Sequence, residues 1–275
     1  MICKFESRGA PGYKTIKNLL VHLIETRVQN IPKAIPAPDS APLDDGHPPG
    51  YTVGSGARHA SISRRPNLAA KQLSKILGQD DTSGENLLFF RDNRVVADSC
   101  QWIFEKSSFK WWADRNSTRP GRYLWLYGPP AAGKSVLVSA VIDKLHSKHL
   151  LTAFYFFRRN NVTGRTTRSF LLSLIAQMSM HSLEFYEKLM DIDAQQAKIH
   201  SMPTRVLWQK IFIDTLFEIK SSAESQWYWI IDALDEADAP SELISLIGKI
   251  NSQTPINILI TSRVDMDIKR SLQTS

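Results

Sequence analysis

Four short runs of apolar residues, Tyr123–Tyr127, Leu151–Phe157, Trp227–Ile231 and Ile256–Ile260, carry no polar alternation. Each predicts a strand buried on both faces. Between them, apolar positions recur at helical spacing. Val136, Ala140, Val141 and Leu145 share one face, and Phe170, Leu171, Leu174, Ile175 and Met178 share another. A weaker helical stretch covers 185–199. A long helix is expected over 204–220, with Val206, Leu207, Ile211, Leu216 and Phe217 pointing inward, and a shorter one over 241–250. Buried strands alternating with helices predict an α/β three-layer sandwich built on a parallel sheet. No internal repeat is present.

Upstream the pattern changes twice. Ile16, Leu19, Leu20, Leu23, Ile24 and Val28 form one stripe of an amphipathic helix over 13–28. From Gln29 to Pro66 the periodicity dissolves, and seven of the chain's fourteen prolines lie there, as in a linker. A short helix from Leu68 to Leu77 stops at Gly78, and a polar break follows over 78–84. After Phe89–Val96, Cys100, Trp102, Ile103 and Phe104 predict another helix, and Phe109, Trp111 and Trp112 add aromatic bulk before a polar turn at 116–121. The expected organisation is an N-terminal segment (1–28), a linker (29–66), a helical lead-in (67–120) and an α/β core (121–275).

Composition narrows the setting. The chain has 275 residues, 43% of them hydrophobic, and no apolar run approaches transmembrane length. Lys4, Glu6 and Arg8 stand where a secretory leader needs an apolar core, and two cysteines, Cys3 and Cys100, give no disulfide framework. A cytoplasmic setting without a membrane is expected. The net charge of +7 comes from basic residues spread among acids, with no dense Lys/Arg block, so no specific nucleic-acid partner is expected.

The densest chemical signal follows the first apolar run. Gly128-Pro129-Pro130-Ala131-Ala132-Gly133-Lys134-Ser135 is a phosphate-loop pattern, and Val136 opens the helix behind it. The glycines permit a loop whose backbone N–H groups converge on a phosphate, reinforced by the positive end of the new helix. Lys134 is placed to reach the β- and γ-phosphates, and the Ser135 hydroxyl to hold Mg²⁺. The predicted ligand is a nucleoside triphosphate, ATP or GTP.

The other strands supply the rest of a site. Ligands gather beyond the carboxyl ends of parallel strands, where Asp232 ends the Trp227 run and would face the same Mg²⁺. An ordinary capping aspartate leaves the same letters. Hydrolysis needs a carboxylate to orient or deprotonate water, and Asp235 and Glu236 are the acids near in sequence, Glu236 being favoured. Thr261 and Arg263 end the Ile256 run. Thr261 is a candidate for holding the attacking water or the phosphate, and Arg263 for sensing the γ-phosphate. Arg168 is a second such candidate, which a surface salt bridge explains equally well.

These segments together resemble the NACHT family of signal-transduction NTPases within the STAND class. The resemblance extends to fungal proteins of the vegetative-incompatibility type, whose phosphate-loop region is similar to the N-terminal domain of nephrocystin. It is carried by Gly128–Ser135, by Ile230-Ile231-Asp232-Ala233-Leu234-Asp235-Glu236, by Thr261-Ser262-Arg263, and by Cys100–Phe104 with Phe109 and Trp112. It implies a sheet with the sensor strand, Ile256–Ile260, between the phosphate-loop strand and the Asp232 strand. It also implies an ATP/ADP switch between resting and active assemblies, with a homo-oligomer or another protein as partner. The family's fifth strand would follow Arg263, but Asp265–Ser275 is mostly polar, so that strand is expected to be missing and Tyr123–Tyr127 to lie at a sheet edge that the N-terminal segment, a partner chain or aggregation must cover. A non-catalytic decoy and a small-molecule kinase remain as alternatives.

Overall fold

A computed structural model describes residues 2–4, 66–78, 81–94, 99–114, 123–195, 198–219, 226–250, 254 and 256–274. The helix expected over 13–28 and the proline-rich stretch lie outside the described residues, which all belong to one compact unit, Met1–Phe5 with Arg58–Ser275. The strands are β1 (Ile2–Lys4), β2 (Tyr123–Tyr127), β3 (Leu151–Phe156), β4 (Trp227–Asp232) and β5 (Ile256–Ser262). The helices are α1 (Pro66–Leu77), α2 (Ser83–Asp92), α3 (Trp102–Glu105), α4 (Ser107–Ala113), α5 (Lys134–Ser147), α6 (Thr167–His181), α7 (Leu183–Ala194), α8 (Thr204–Leu207), α9 (Pro240–Ile247) and α10 (Met266–Thr274).

The strands pair in parallel in the order β1-β2-β5-β4-β3. Every residue of β4 and β5 is buried, which is why neither run alternates with polar positions. Alternate residues instead feed two cores. Trp125, Trp229, Ile231, Ile258 and Ile260 pack with α6, α7 and α9 on one face. Leu124, Leu126, Tyr228, Ile230 and Leu259 pack with α5 and the aromatic lead-in on the other. Trp112, fully buried, meets Tyr228 edge to face at 5.3 Å. The lead-in is therefore part of this core.

The expected sandwich and the position of the sensor strand β5 are as observed, and no strand follows β5 among the described residues. Of the three coverings expected for the β2 edge, the N-terminal segment is the one observed. β1 lies beside β2, with Ile2 opposite Trp125 and Lys4 opposite Tyr127. A three-residue strand is too short to leave a periodic signal, and its partner is more than a hundred residues away in sequence. At the opposite edge the Gln177 side chain closes the sheet. Its Oε1 accepts from Phe154 N at 2.9 Å, and its Nε2 donates to Phe154 O at 2.8 Å.

Two expectations are corrected. The helix over 204–220 is α-helical only through Leu207, and Trp208–Leu216 is a π-helix. The widened turn buries Trp208, Ile211, Phe212 and Leu216 and leaves Val206 exposed rather than inward. Side chains reinforce its longer repeat, since Thr215 Oγ1 donates to Lys210 O and Gln209 Nε2 to Asp214 Oδ1, each at 2.7 Å. The polar tail forms helix α10, anchored by the buried Ile268.

Candidate nucleotide site

The phosphate loop leaves β2 at Gly128, whose N–H donates to Ser262 O at 3.3 Å and so ties the loop to the sensor strand. Two left-handed residues shape the turn, Ala131 (φ 57°) and Gly133 (φ 84°). An added Cβ at Gly133 meets nothing within 4 Å, so the glycine is needed there for its backbone angle and not for space. α5 starts at Lys134, and its first-turn N–H groups have no partners within the helix. Such a helix start is complementary to an anion.

Lys134 Nζ donates to two carbonyls of its own loop, Gly128 O at 3.0 Å and Pro129 O at 2.8 Å. Burial lowers its pKa, while Asp235, Asp232 and Glu236 pull it back up. The ammonium is thus held at the loop by weak neutral acceptors and by acids across the cleft.

Asp232 ends β4 and is 2% exposed. Ser135 Oγ donates to its Oδ2 at 2.6 Å, and Thr261 Oγ1 donates to its Oδ1 at 2.5 Å. Thr261 in turn accepts from Ala233 N at 3.0 Å. Burial raises the Asp232 pKa, and the two hydroxyl bonds oppose that shift. A serine and a carboxylate 97 positions apart therefore meet as a ready pair of oxygen ligands for a hard divalent cation. Thr261 sits behind that pair, with its proton on Asp232.

Past Asp232 the chain turns at Ala233, which is left-handed (φ 55°), into a short 3-10 turn, Leu234–Glu236. The turn presents both acids to Arg263. Asp235 Oδ1 accepts from Arg263 N at 2.8 Å, and its Oδ2 lies 3.2 Å from Arg263 Nε. Glu236 Oε1 lies 3.4 Å from Arg263 Nη2, and its Oε2 accepts from Arg159 N at 2.8 Å. A cavity of about 290 Å³ is lined by residues 130–136, Asp232, Ala233, Asp235, Glu236, Arg263 and Phe90.

Lys134, Ser135, Val136, Asp232, Asp235, Glu236 and Arg263 thus converge, with Pro130, Ala131, Ala132 and Gly133 on the same wall. Arg168 does not line this cavity. Its guanidinium donates to the carbonyls of Ile199, His200 and Met202, and it makes no salt bridge among the described residues. Phe90 and the Arg158-Arg159 pair were not among the expected site residues. Two arginines directly after a strand that runs toward the ligand edge are a signal by which Arg158 and Arg159 could have been found, and Phe90 has none. A larger cavity of about 450 Å³, between α1, α6 and β3, contains none of the phosphate-loop or acid residues.

Residues 98–263, more than half of the chain, match the family described as Nephrocystin 3, N-terminal. The chain belongs to this family. The match opens in the aromatic lead-in and ends at Arg263, so the nephrocystin-3 N-terminal domain takes in both walls of the cleft. The chain is also 28% identical over 194 residues to vegetative incompatibility protein HET-E-1 of Podospora anserina. That alignment covers 66% of this chain and 13% of HET-E-1, so the chain spans about an eighth of that relative's length. No solved structure gives a significant match. The fungal incompatibility resemblance carried by the motifs is thus found again by both comparisons. No helix among the described residues is long and apolar enough to cross a membrane.

Proposed function

We propose that this chain is the nucleotide-binding part of a NACHT-type signalling switch that binds ATP with Mg²⁺ and hydrolyses it slowly. The observation that supports this most is the 2.6 Å contact between Ser135 Oγ and Asp232 Oδ2, directly beside the N-terminal end of α5. Ser135 and Asp232 would hold Mg²⁺ there, and the ion would supply positive charge against the phosphates. The first-turn N–H groups of α5 hold the β-phosphate. Lys134 leaves its two carbonyl acceptors for phosphate oxygens, exchanging neutral partners for charged ones.

Glu236 is the better water-orienting acid of the two. Asp235 is committed twice to Arg263 and its side chain is 10% exposed, whereas Glu236 is 25% exposed and holds Arg263 only at 3.4 Å. A carboxylate already shared between Arg159 N and Arg263 must give up one of these partners to orient a water, which fits slow turnover. GTP fits the phosphate contacts equally, since none of them reads the base. By analogy with the incompatibility protein, the assembled state involves copies of this chain or another protein in the cytoplasm.

Incubation of the purified protein with ATP, with and without small-molecule phosphate acceptors, tests the reading. We expect Mg²⁺-dependent release of phosphate without an acceptor, reduced at least about 100-fold in Glu236→Gln with ATP binding retained. Binding without any turnover in the unaltered protein favours the non-catalytic decoy, and acceptor-dependent turnover favours a kinase.

A further inference from the structure

Arg158 stands two residues beyond β3, at the carboxyl edge of the sheet. Phe156 of that strand lies opposite Asp232, and Phe157 N donates to Asp232 O at 3.1 Å. The next residue, Arg159, holds Glu236 through its backbone N–H. The Arg158 guanidinium carbon lies 5.0 Å from the Phe89 ring centroid and 5.3 Å from that of Phe90, a residue that itself lines the cleft.

The rings account for where the flat face of the guanidinium rests. They do nothing for its edge. Nε and Nη2 of Arg158 are buried and have no hydrogen-bond partner. Arg158 itself is not among the residues that line the cavity, and the two cations that do line it differ. Lys134 bonds two carbonyls, and Arg263 bonds two acids. Arg94 and Arg165 also leave Nε without a hydrogen-bond partner, but each pairs with a carboxylate, Asp143 and Asp238, and Arg168 donates to carbonyls. Buried donors on a permanent charge are rarely left unmatched, and where they occur at a ligand edge an anion is the natural complement.

We propose that Arg158 binds the γ-phosphate of the nucleoside triphosphate and so distinguishes triphosphate from diphosphate. This rests on the reading of the cleft as a nucleotide site. The phosphate loop and the start of α5 enclose the β-phosphate, whereas Arg158 approaches from the β3 side, where Asp232 and Glu236 lie. Two oxygens of the terminal phosphate satisfy Nε and Nη2 in the bidentate geometry that arginine favours. The Phe89 and Phe90 rings keep the guanidinium close to the cleft and partly shielded from water.

The test is equilibrium binding of a non-hydrolysable ATP analogue and of ADP, each with Mg²⁺, to the unaltered protein, Arg158→Gln, Arg158→Lys and Lys134→Ala. We expect Arg158→Gln to weaken the analogue about 10- to 100-fold and to change ADP less than about twofold. Arg158→Lys should recover only part of the loss, because an ammonium lacks the fork. Equal affinities of unaltered protein and Arg158→Gln for the analogue overturn the proposal, as does an equal loss for both ligands. If Lys134→Ala keeps full affinity for both ligands, the cleft reading fails and Arg158 falls with it. If Lys134→Ala loses both while Arg158→Gln loses neither, only the Arg158 assignment fails. Should Arg158→Gln not fold, the Arg158 Nε–H resonance of the unaltered protein decides, assigned through Arg158→Lys. A shift with the analogue and none with ADP supports the contact, and equal response to both contradicts it.

Discussion

The phosphate loop and the acid–arginine loop face each other across one cavity but are held in shape by different means. The phosphate-loop wall is set by backbone. Left-handed Ala131 and Gly133, the Gly128 bond to Ser262 and the start of α5 fix it, and its one cation rests on neutral carbonyls. The opposite wall is set by side chains. Asp235 and Glu236 each hold a backbone N–H, of Arg263 and Arg159, and both hold the Arg263 guanidinium. The first wall is complementary to an anion as it stands. The second sets its one guanidinium between two carboxylates, so any group that draws Arg263 toward itself must compete with both. Changes in the first wall should therefore alter affinity for every nucleotide, and changes in the second should alter turnover and the response to the third phosphate.

Asp232 lies where the walls meet, and its loss should have the largest effect. Outer partners of metal ligands are worth about 10- to 100-fold in metal affinity, and a direct ligand stands at the upper end of that range. Asp232→Asn keeps the shape and removes the charge, so Mg²⁺-dependent ATP affinity should fall about 100-fold, while affinity measured in chelator should hardly change. Titration of ATP with and without Mg²⁺ reads both. A fall of equal size without Mg²⁺ would show that Asp232 shapes the wall and does not serve the cation.

Removal of residues 1–5 takes away the strand beside the phosphate-loop wall. The backbone groups of β2 that face β1 would then meet water or another chain. We expect a loss of about 1–3 kcal/mol, seen as a fall in Tm of about 3–8 °C, together with self-association in sedimentation. An unchanged Tm and a monodisperse monomer would show that β2 tolerates an open edge.

The smallest expected effect links the bases of the two walls. Tyr123, at the foot of β2, donates its hydroxyl to Ile247 O of α9 at 3.1 Å, and burial pushes its pKa up to about 12. The native state therefore holds this proton more tightly than the unfolded chain, whose tyrosines titrate near pH 10. The contribution is full below about pH 10 and is lost as pH rises toward 12, about 1 kcal/mol having gone by pH 11. Tyr123→Phe should flatten denaturant-derived stability across that window by this amount. An identical alkaline slope in the variant would place the titrating group elsewhere.

How much of this was legible in the sequence follows the same division. The phosphate-loop wall was legible because its backbone angles require glycine at a fixed spacing, and because a loop between an apolar run and a helical stripe has few other uses. Asp232 was legible from its place at the end of an apolar run. The partners on the second wall were legible only as candidates. Letters do not say which acid holds Arg263 twice, nor that Thr261 directs its proton to Asp232. Arg158 and Arg168 are both basic residues between β3 and the body of α6, Arg158 two residues past the strand and Arg168 in the first turn of the helix, yet Arg168 donates to three carbonyls and Arg158 keeps two unmatched nitrogens. β1 was not legible because three residues make no period and their partner strand is distant. The exposure of Val206 depends on the π-helical widening beyond Leu207, which an α-helical repeat does not anticipate.

The central claim is that the loop carrying Lys134 and the strand end carrying Asp232 form one nucleotide site, and titration of ATP into Lys134→Ala in the presence of Mg²⁺ tests it most directly. Loss of the cation should weaken binding at least about 10-fold, the scale of a charge-assisted phosphate contact. The Tm without nucleotide should stay within a few degrees of that of the unaltered protein, because Lys134 bonds only neutral carbonyls of its own loop. Equal ATP affinity in a folded Lys134→Ala variant would contradict the assignment of the cleft.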